Sequence, residues 1–502
     1  MQVVEKQPAW LLPLYAAVLV VLCLTFGIGV FALTVEPDEV WNLMSTMKAF
    51  GLPLPATSAV NYPVTTTGGL HFVLHGLVAI VRSGDIVLHR AVSVAITLLL
   101  LAIVFSTVAS HLKNRVLAAA GTALFAVAPG FLLQASLATS EIIATTVMLL
   151  AALFWFRFGS RSASYAALGG VLFGVACATR MTCLSMLPAI LIWSIFMQRG
   201  WLARVVLPAL AVTFAVAVFL GLTATYFAAF GDTPWSEFMV ASSSASGVSR
   251  AFPGLMLRLN YLAVSDGILP LAGMVALSGW LLHRASFPYN EQGLISFCAL
   301  LLLTGGAGWL AWLLKAPIPH IRYLWPALPL IWLAIILLGL SELHRVKQAK
   351  SLAIAHLTII CICAGQVLLN ARMLAVGDSL TLVYEAARRT ELGTPRQLFE
   401  VRKHQQAMAD LLAGLPQSAT VHALAEPAAY PMTYLSGRTI TSLAQAGEAS
   451  APRYLLVQAY DRSIWPTSWD RISWLQNNAK LEVRHGDYWL YRIRADAGQP
   501  VQ

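Results

Sequence analysis

Charged side chains are scarce in this 502-residue chain: only 11% of the residues are Asp, Glu, Lys or Arg, whereas 58% are hydrophobic. Soluble domains usually carry about a quarter charged residues, so the composition excludes a soluble globular protein and indicates a polytopic membrane protein. The net charge of +10 shows no pattern typical of nucleic-acid binding, because basic residues in membrane proteins mainly hold loops on the cytoplasmic side. We therefore expect membrane lipids as partners and no nucleic acid.

Cysteine is also rare, with six residues that all lie in apolar segments. An unpaired cysteine in such a segment behaves as a small buried hydrophobe, so neither disulfides nor zinc sites are expected. The first apolar run lacks a cleavage site of the A-x-A type, which favours a retained membrane span over a cleaved signal peptide.

Long apolar runs are abundant. About eleven of them approach the length that crosses ~30 Å of hydrocarbon, and we place them at 11–33, 86–110, 116–135, 140–157, 164–179, 182–198, 204–230, 261–282, 292–314, 322–341 and 352–371. The segment Leu70–Val81 is apolar but too short to span, and it predicts a helix lying in the outer interface. If this segment does not cross the membrane, the connectors that carry basic residues all fall on one side. The positive-inside rule assigns that side to the cytoplasm.

This orientation predicts an α-helical protein of the cytoplasmic (inner) membrane with its N-terminus inside. The first loop 34–85, the loop 231–260 and the tail then face outward. We expect a transmembrane domain over residues 1–373 and a soluble extracytoplasmic α/β domain over residues 374–502. In the tail, the pattern predicts a helix near 405–415 and strands near 420–425, 454–458 and 481–494.

An acidic pair, Asp38-Glu39, follows the first span. Apolar residues recur at helical spacing from Val40 to Phe50, so the pair marks the start of a predicted amphipathic helix in the interface. The alternative to a catalytic role is a structural one, because acidic residues stabilise a helix N-terminus by a few tenths to about 1 kcal/mol. As a catalytic base, Asp38 would take a proton from an acceptor hydroxyl or amine. Glu39 is the neighbouring catalytic candidate, and its alternative role is to favour the positive end of the helix.

Further candidates lie at the outer ends of other segments. Glu141 follows Thr139-Ser140 and would either cap a helix or help to orient an acceptor or share a metal. His71 and His75 lie four residues apart, so a helix would place them on one face as ligands of a divalent metal. Ordinary packing in the interface is the alternative for both histidines.

Several short motifs follow one another along the chain: Pro37-Asp38-Glu39, Tyr62-Pro63, the segment Leu70–Val81, Arg90, Ala138–Glu141, Thr179-Arg180 and Arg322–Pro329. In this order they resemble the motifs of the GT-C fold glycosyltransferases, and in particular of the branch of the protein O-mannosyltransferases and the lipid A aminoarabinose transferase. The resemblance implies an integral membrane enzyme that moves a sugar from a polyprenyl phosphate or polyprenyl diphosphate, with inversion, to a lipid, glycan or protein acceptor. It also implies that Asp38 is the base or orients the acceptor.

A lipid-phosphate donor requires cations near the outer surface, because charge develops on the leaving phosphate. The candidate phosphate-binding residues are Arg180, Arg250, Arg258, Lys315, His320 and Arg322. For Arg180, snorkelling of the side chain to the interface is the alternative.

Two departures from the family pattern leave other functions open. Val64–Thr67 stands where members of the branch often have Glu-Lys-Pro-Pro, and the loop at Trp235–Phe238 continues into serines. Metal dependence and the class of acceptor therefore stay open. A polytopic transporter or lipid flippase, and a non-catalytic scaffold that binds a lipid-linked glycan, are the alternatives.

Overall fold

The computed structural model describes most of the chain. The described residues are 8, 10–54, 68–228, 292–315, 324–345, 348–377, 397–442, 453–458, 475 and 477–494, apart from Ser83, Pro129 and Ala425. The fold divides into two compact units. The first comprises Met1–Gly27, Thr65–Leu74 and Arg90–Ala371, and the second comprises Ile28–Val64, His75–His89 and Arg372–Gln502.

Helices make up most of the described chain. They are α1 (Leu11–Ala32), α2 (Pro37–Ala49), α3 (Gly69–Val81), α4 (Ile86–Leu112), α5 (Arg115–Ala126), α6 (Phe131–Ser136), α7 (Ser140–Phe154), α8 (Ala163–Thr179), α9 (Leu187–Met197), α10 (Leu207–Ala228), α11 (Gln292–Lys315), α12 (Ala327–Arg345), α13 (Ala349–Val376), α14 (Glu400–Ala413) and α15 (Glu426–Ser436). A π-helical turn extends α7 and another precedes α10, while the 3₁₀ helix Met181–Met186 leads into α9.

Seven helical segments in the described part of the chain are long and apolar enough to cross a membrane. They are Leu11–Ala32, Ile86–Leu112, Ser140–Gly159, Leu202–Ala228, Gly293–Trp312, Ala327–Arg345 and Lys350–Val376. Each coincides with one of the predicted spans. Apolar side chains on these segments are exposed, for example Leu24 at 59% and Leu368 at 73%, as expected for helices that a lipid environment covers. A helical multi-pass membrane protein is therefore confirmed.

The remaining predicted spans correspond to shorter helices or lie elsewhere. The spans 164–179 and 182–198 appear as apolar helical segments of 17 residues or fewer, and 261–282 lies outside the described residues. The predicted span over 116–135 is not one helix, because α5 ends at Ala126 and the chain passes through Gly130 at φ +72° before α6 begins. A left-handed backbone of this kind favours glycine and interrupts a helix.

Close helix packing in the first unit positions the end of α8. Gly170 and Gly174 of α8 lie against α10, where a Cβ on Gly174 would come within 2.6 Å of the carbonyl oxygen of Ala215. Small residues spaced by four let two membrane helices approach backbone to backbone. This contact fixes the course of α8 towards its C-terminal end at Thr179.

A five-stranded mixed sheet lies in the C-terminal part of the second unit. Its strands are β1 (Thr420–Ala423), β2 (Ile440–Ser442), β3 (Arg453–Gln458), β4 (Ala479–His485) and β5 (Tyr488–Ile493), in the order β2-β1-β3-β5-β4. β1 is parallel to β2 and β3, and β5 is antiparallel to β3 and β4. In β3, Leu456 packs with Met408 and Met432 of α14 and α15, whereas Leu455 and Val457 face the opposite side of the sheet.

The secondary structure predicted for the tail is largely confirmed, with one correction. The helix near 405–415 and the strands near 420–425 and 454–458 are present. The single strand predicted over 481–494 is wrong, because Gly486 at φ +57° turns the chain between β4 and β5. Helix α15 and strand β2 were not predicted.

Acid should weaken the sheet through His422 of β1. Burial, and then the positive charge of Arg453, lower the pKa of this ring, whose Nδ1 lies 2.9 Å from Oγ1 of Thr441. In the unfolded chain the ring titrates near about pH 6.5. As the pH falls, the unfolded state therefore takes up the proton before the folded state does. The stability contributed by the neutral His422 ring is complete above about pH 6.5 and is lost progressively below it.

The measurement is hydrogen exchange of peptides from β1 and β2 at pH 5 and 7.5, corrected for intrinsic rates. We expect the wild type to lose protection at the lower pH and His422→Gln, which cannot titrate, to lose less. His485→Gln, a change at a partly exposed histidine at the end of β4, is the control. Equal losses in the wild type and His422→Gln would contradict the prediction.

Candidate functional site

Helix α2 begins at the acidic pair. Glu36 occupies the N-cap position with an extended backbone, Pro37 is the first helical residue, and the backbone N–H of Glu36 donates to Oε2 of Glu39 at 3.4 Å. Glu39 is fully buried. Its expected place at the helix start is therefore confirmed, and its carboxylate caps the backbone. Asp38 lies in the first turn of α2, and its side chain is outside the described residues.

Both faces of α2 are buried. The apolar face was expected to be covered, and Val40, Leu43 and Met44 are indeed inaccessible. On the polar face, Ser45 and Thr46 are buried as well, and Oγ1 of Thr46 donates to a carbonyl oxygen within the helix. The amphipathic pattern located the helix correctly, but other parts of the protein cover its polar side.

A buried ion pair joins α7 to the end of α8 in the first unit. Nη2 of Arg180 lies 3.0 Å from Oε1 of Glu141, and the two side chains are only 4% and 2% exposed. Nη1 of the same guanidinium donates to Oγ of Ser140 at 3.2 Å. Because a buried charge is costly without a partner, Arg180 and Glu141 hold each other in place.

Local structure explains why these two side chains meet. Thr139 occupies the N-cap position of α7, so Glu141 lies in the first turn, where the helix dipole favours a carboxylate. Arg180 follows α8 with an extended backbone at φ −146° and ψ 110°. The second oxygen of the carboxylate, Oε2 of Glu141, is buried and accepts no hydrogen bond within the described part of the chain.

The N-terminal end of α3 lies against the C-terminal end of α8, next to the ion pair. The backbone N–H of Leu70 donates to Oγ1 of Thr179 at 3.1 Å. Nε2 of His71 lies 3.5 Å from the carbonyl oxygen of Ala138, and the His71 ring is buried. Three chain segments therefore converge around the ion pair: the start of α3, the start of α7 and the end of α8.

Gly69 should not tolerate a side chain at this convergence. Its backbone lies at φ +48°, and an added Cβ would come within 2.7 Å of the backbone atoms C of Ala178 and N of Thr179. Neither neighbour is a flexible side chain, so α3 and α8 would have to separate. We expect Gly69→Ala to lower both thermal stability in detergent and activity, because a left-handed residue other than glycine alone costs about 1–2 kcal/mol.

Gly306→Ala in α11 is the matched control. An added Cβ there meets no atom within 4 Å, and alanine is the better helix former. Wild-type stability of Gly69→Ala would show that the contact between α3 and α8 is not constrained as described.

The other predicted metal ligand, His75, has a different partner. In the second unit its Nδ1 lies 3.0 Å from Nδ1 of His89, and both rings are buried. His89 was not singled out from the sequence, because two histidines 14 residues apart form no recognisable motif. No group of three or more His, Cys, Asp or Glu side chains that could hold a metal occurs among the described residues. Metal ligation by His71 and His75 stays a prediction.

The remaining cation candidates are not placed by the structure. Lys315 is the last residue of α11 and its side chain lies outside the described residues. Arg250, Arg258, His320 and Arg322 also lie outside them. Among the predicted phosphate-binding residues, Arg180 is thus the one whose side chain is described.

Comparison with known proteins bears on this arrangement. Residues 69–223 match the family model described as dolichyl-phosphate-mannose-protein mannosyltransferase. This stretch runs from the start of α3 into α10, and so contains His71, Glu141 and Arg180. The resemblance to GT-C glycosyltransferases is confirmed. No curated protein matches the chain at a significant level.

Two solved structures share the GT-C fold with this chain almost from end to end. ArnT from Cupriavidus metallidurans bound to undecaprenyl phosphate has a TM-score of 0.58 at 13% identity, with 97% of this chain and 99% of that chain covered. The same protein in the apo state has a TM-score of 0.53, again at 13% identity, with 97% and 98% covered. At this identity the likeness establishes the fold. The family match over residues 69–223 bears out the glycosyltransferase class that was expected.

Proposed function

We propose that the protein transfers a sugar from a polyprenyl-phosphate donor to an acceptor on the outer face of the inner membrane, with inversion at the sugar carbon. The observation that carries this proposal is the buried pair of Arg180 and Glu141, which lies inside the segment matched by the mannosyltransferase family. Undecaprenyl phosphate is bound by ArnT, which has the same fold. A polyprenyl phosphate is therefore the carrier that we assign to this chain.

In the proposed reaction, Asp38 is the base. It takes the proton of an acceptor hydroxyl or amine while the acceptor atom forms a bond to the anomeric carbon, and the bond from that carbon to the phosphate oxygen breaks. The phosphate leaves with the electron pair as a stable anion, so no general acid is needed. Attack from the face opposite the phosphate gives inversion.

Glu141 and Arg180 have linked roles in this proposal. Oε2 of Glu141, whose other oxygen is held by Arg180, accepts a hydrogen bond from the acceptor. The guanidinium of Arg180 carries five donors in a rigid fork, and besides holding Glu141 it counters the charge that develops on the leaving phosphate. Arg250, Arg322, His320 and Lys315 are further candidates for phosphate contact.

The test is transfer by the purified protein. The wild type in detergent is incubated with a set of undecaprenyl-phosphate sugars, each labelled in the sugar, together with lipid, glycan and peptide acceptors, and covalent product is separated by chromatography. Labelled product supports a transferase. In a parallel assay with the protein reconstituted into sealed vesicles, movement of label across the membrane without product would favour a flippase. Binding of donor without turnover over all acceptors would favour a scaffold.

A further inference from the structure

The segment that leads into α2 is held by residues from the C-terminal part of the same unit. The backbone N–H of Val35 donates to Oε1 of Gln405 at 2.9 Å, and Nε2 of Gln405 donates back to the carbonyl oxygen of Val35 at 3.1 Å. The neighbouring N–H of Thr34 donates to the carbonyl oxygen of Gly377 at 2.8 Å. One carboxamide thus satisfies both backbone groups of Val35, as a neighbouring strand would.

Gln405 makes this contact from an otherwise apolar face of α14. Its neighbours at helical spacing, Val401, Met408 and Leu412, are buried, and Gln405 itself is only 1% exposed. A buried amide is costly unless it is hydrogen-bonded. Its position on the buried stripe of α14 is therefore explained by the bonds to Val35, because core packing alone would favour an apolar residue.

A second contact lies on the other side of Asp38. The ring of Trp41 in α2 stacks on the ring of Tyr430 in α15, with centroids 5.8 Å apart and planes 6° from parallel. Val35 and Trp41 lie three residues before and three residues after Asp38. Pro37, with its fixed φ, stiffens the chain between Val35 and the helix.

We propose that Gln405 and Tyr430 are positioning residues for the catalytic base: the C-terminal part of the chain sets the place and direction of the first turn of α2, and hence of Asp38. This inference rests on the proposed function, since it assigns a role to residues that act through Asp38. Displacement of a catalytic group by about 1 Å can cost on the order of 100-fold in rate. Loss of either contact therefore lowers turnover without removing a group that touches the substrate.

The experiment compares Gln405→Ala with Gln406→Ala in the full chain. Gln406 is adjacent on α14, and its amide bonds to Asp410 of the same helix. We expect Gln405→Ala to lower kcat by about 10- to 100-fold while KM for an undecaprenyl-phosphate sugar that the wild type turns over is unchanged. Gln406→Ala should match the wild type. Tyr430→Leu should also lower kcat, and Tyr430→Phe, which keeps the stacked ring, should restore it.

Two further readouts separate positioning from a general loss of structure. In an Asp38→Asn background, Gln405→Ala should cause no additional loss, because the group that it positions is already inactive. Hydrogen exchange in peptides covering residues 33–42 should be faster in Gln405→Ala than in Gln406→Ala, while exchange in β3 and β5 is the same in both.

The outcomes distinguish this inference from the proposed function. If Asp38→Asn abolishes transfer while Gln405→Ala and Tyr430→Leu both retain wild-type kcat, the positioning role is overturned and the proposed function stands. The positioning role would also be overturned if Gln405→Ala lowered kcat by the same factor in the wild-type and Asp38→Asn backgrounds. Undiminished transfer by Asp38→Asn overturns the assigned base and the positioning role together. If the wild type transfers no sugar, the proposed function fails, and exchange near Val35 still decides whether Gln405 holds the segment.

Discussion

Asp38→Asn is expected to lower the rate of sugar transfer by about 10²- to 10⁴-fold, the range that a general base contributes. The amide keeps the size and shape of the side chain but cannot take up the acceptor proton at neutral pH. KM for the donor should stay close to the wild-type value, because a group that acts only in the transition state changes kcat and kcat/KM equally. Initial rates with a labelled undecaprenyl-phosphate sugar measure both quantities.

Asp85→Asn is the matched control for this change. Oδ1 of Asp85 accepts the backbone N–H groups of Val87 and Leu88 at 3.1 and 3.2 Å, and an asparagine oxygen can accept the same bonds. The ion pair of Asp85 with the exposed Arg82 contributes little. We therefore expect wild-type transfer. Full activity of Asp38→Asn would remove Asp38 from the mechanism, whereas equal losses in both variants would point to a general effect of lost charge.

Removing one partner of the buried ion pair should be strongly destabilising. Glu141→Leu leaves the guanidinium of Arg180 buried without its countercharge. Arg180→Met likewise leaves the carboxylate of Glu141 buried without a countercharge. Breaking a buried pair in this way typically costs about 3–5 kcal/mol. Unfolding of the purified protein by denaturant in mixed micelles measures the loss, with Gly306→Ala as a variant expected to behave like the wild type.

The double variant Glu141→Leu/Arg180→Met decides what the pair is for. Replacing both charges with apolar residues of similar volume is often neutral or stabilising, so we expect most of the lost stability to return. Sugar transfer should not return, since the proposed contacts to the acceptor and the phosphate are absent. A double variant with wild-type stability and wild-type transfer would show that the pair has no role in transfer.

The local elements of the candidate site could be predicted from the sequence. Pro37 and the acids beside it locate the start of α2, because proline suits the first helical position and carboxylates suit the positive end. Glu141 and Arg180 were each singled out from their own surroundings. Their contact was not predicted, because it joins residues 39 positions apart and depends on how α7 and α8 pack.

Two features had signals that were overlooked. Gln405 stands at a position where the helical pattern of Val401, Met408 and Leu412 calls for an apolar residue, and a polar side chain at such a place indicates a buried hydrogen-bond partner. Gly130 lies inside the predicted span 116–135 and Gly486 inside the predicted strand 481–494, and each glycine marks a break between two elements of the structure. The partner of His75 had no signal, since only the tertiary fold brings His89 within hydrogen-bonding distance.

The close contact of Gly174 with α10 acts as a pivot for the C-terminal end of α8. A helix rises about 1.5 Å per residue, so Arg180 lies roughly 9 Å beyond Gly174, and a tilt of about 5° there moves the end of the helix by roughly 0.8 Å. That displacement is close to the misplacement that costs an enzyme on the order of 100-fold in rate. The position of the guanidinium is thus limited by a glycine that lets α8 and α10 meet backbone to backbone, less than two helical turns away.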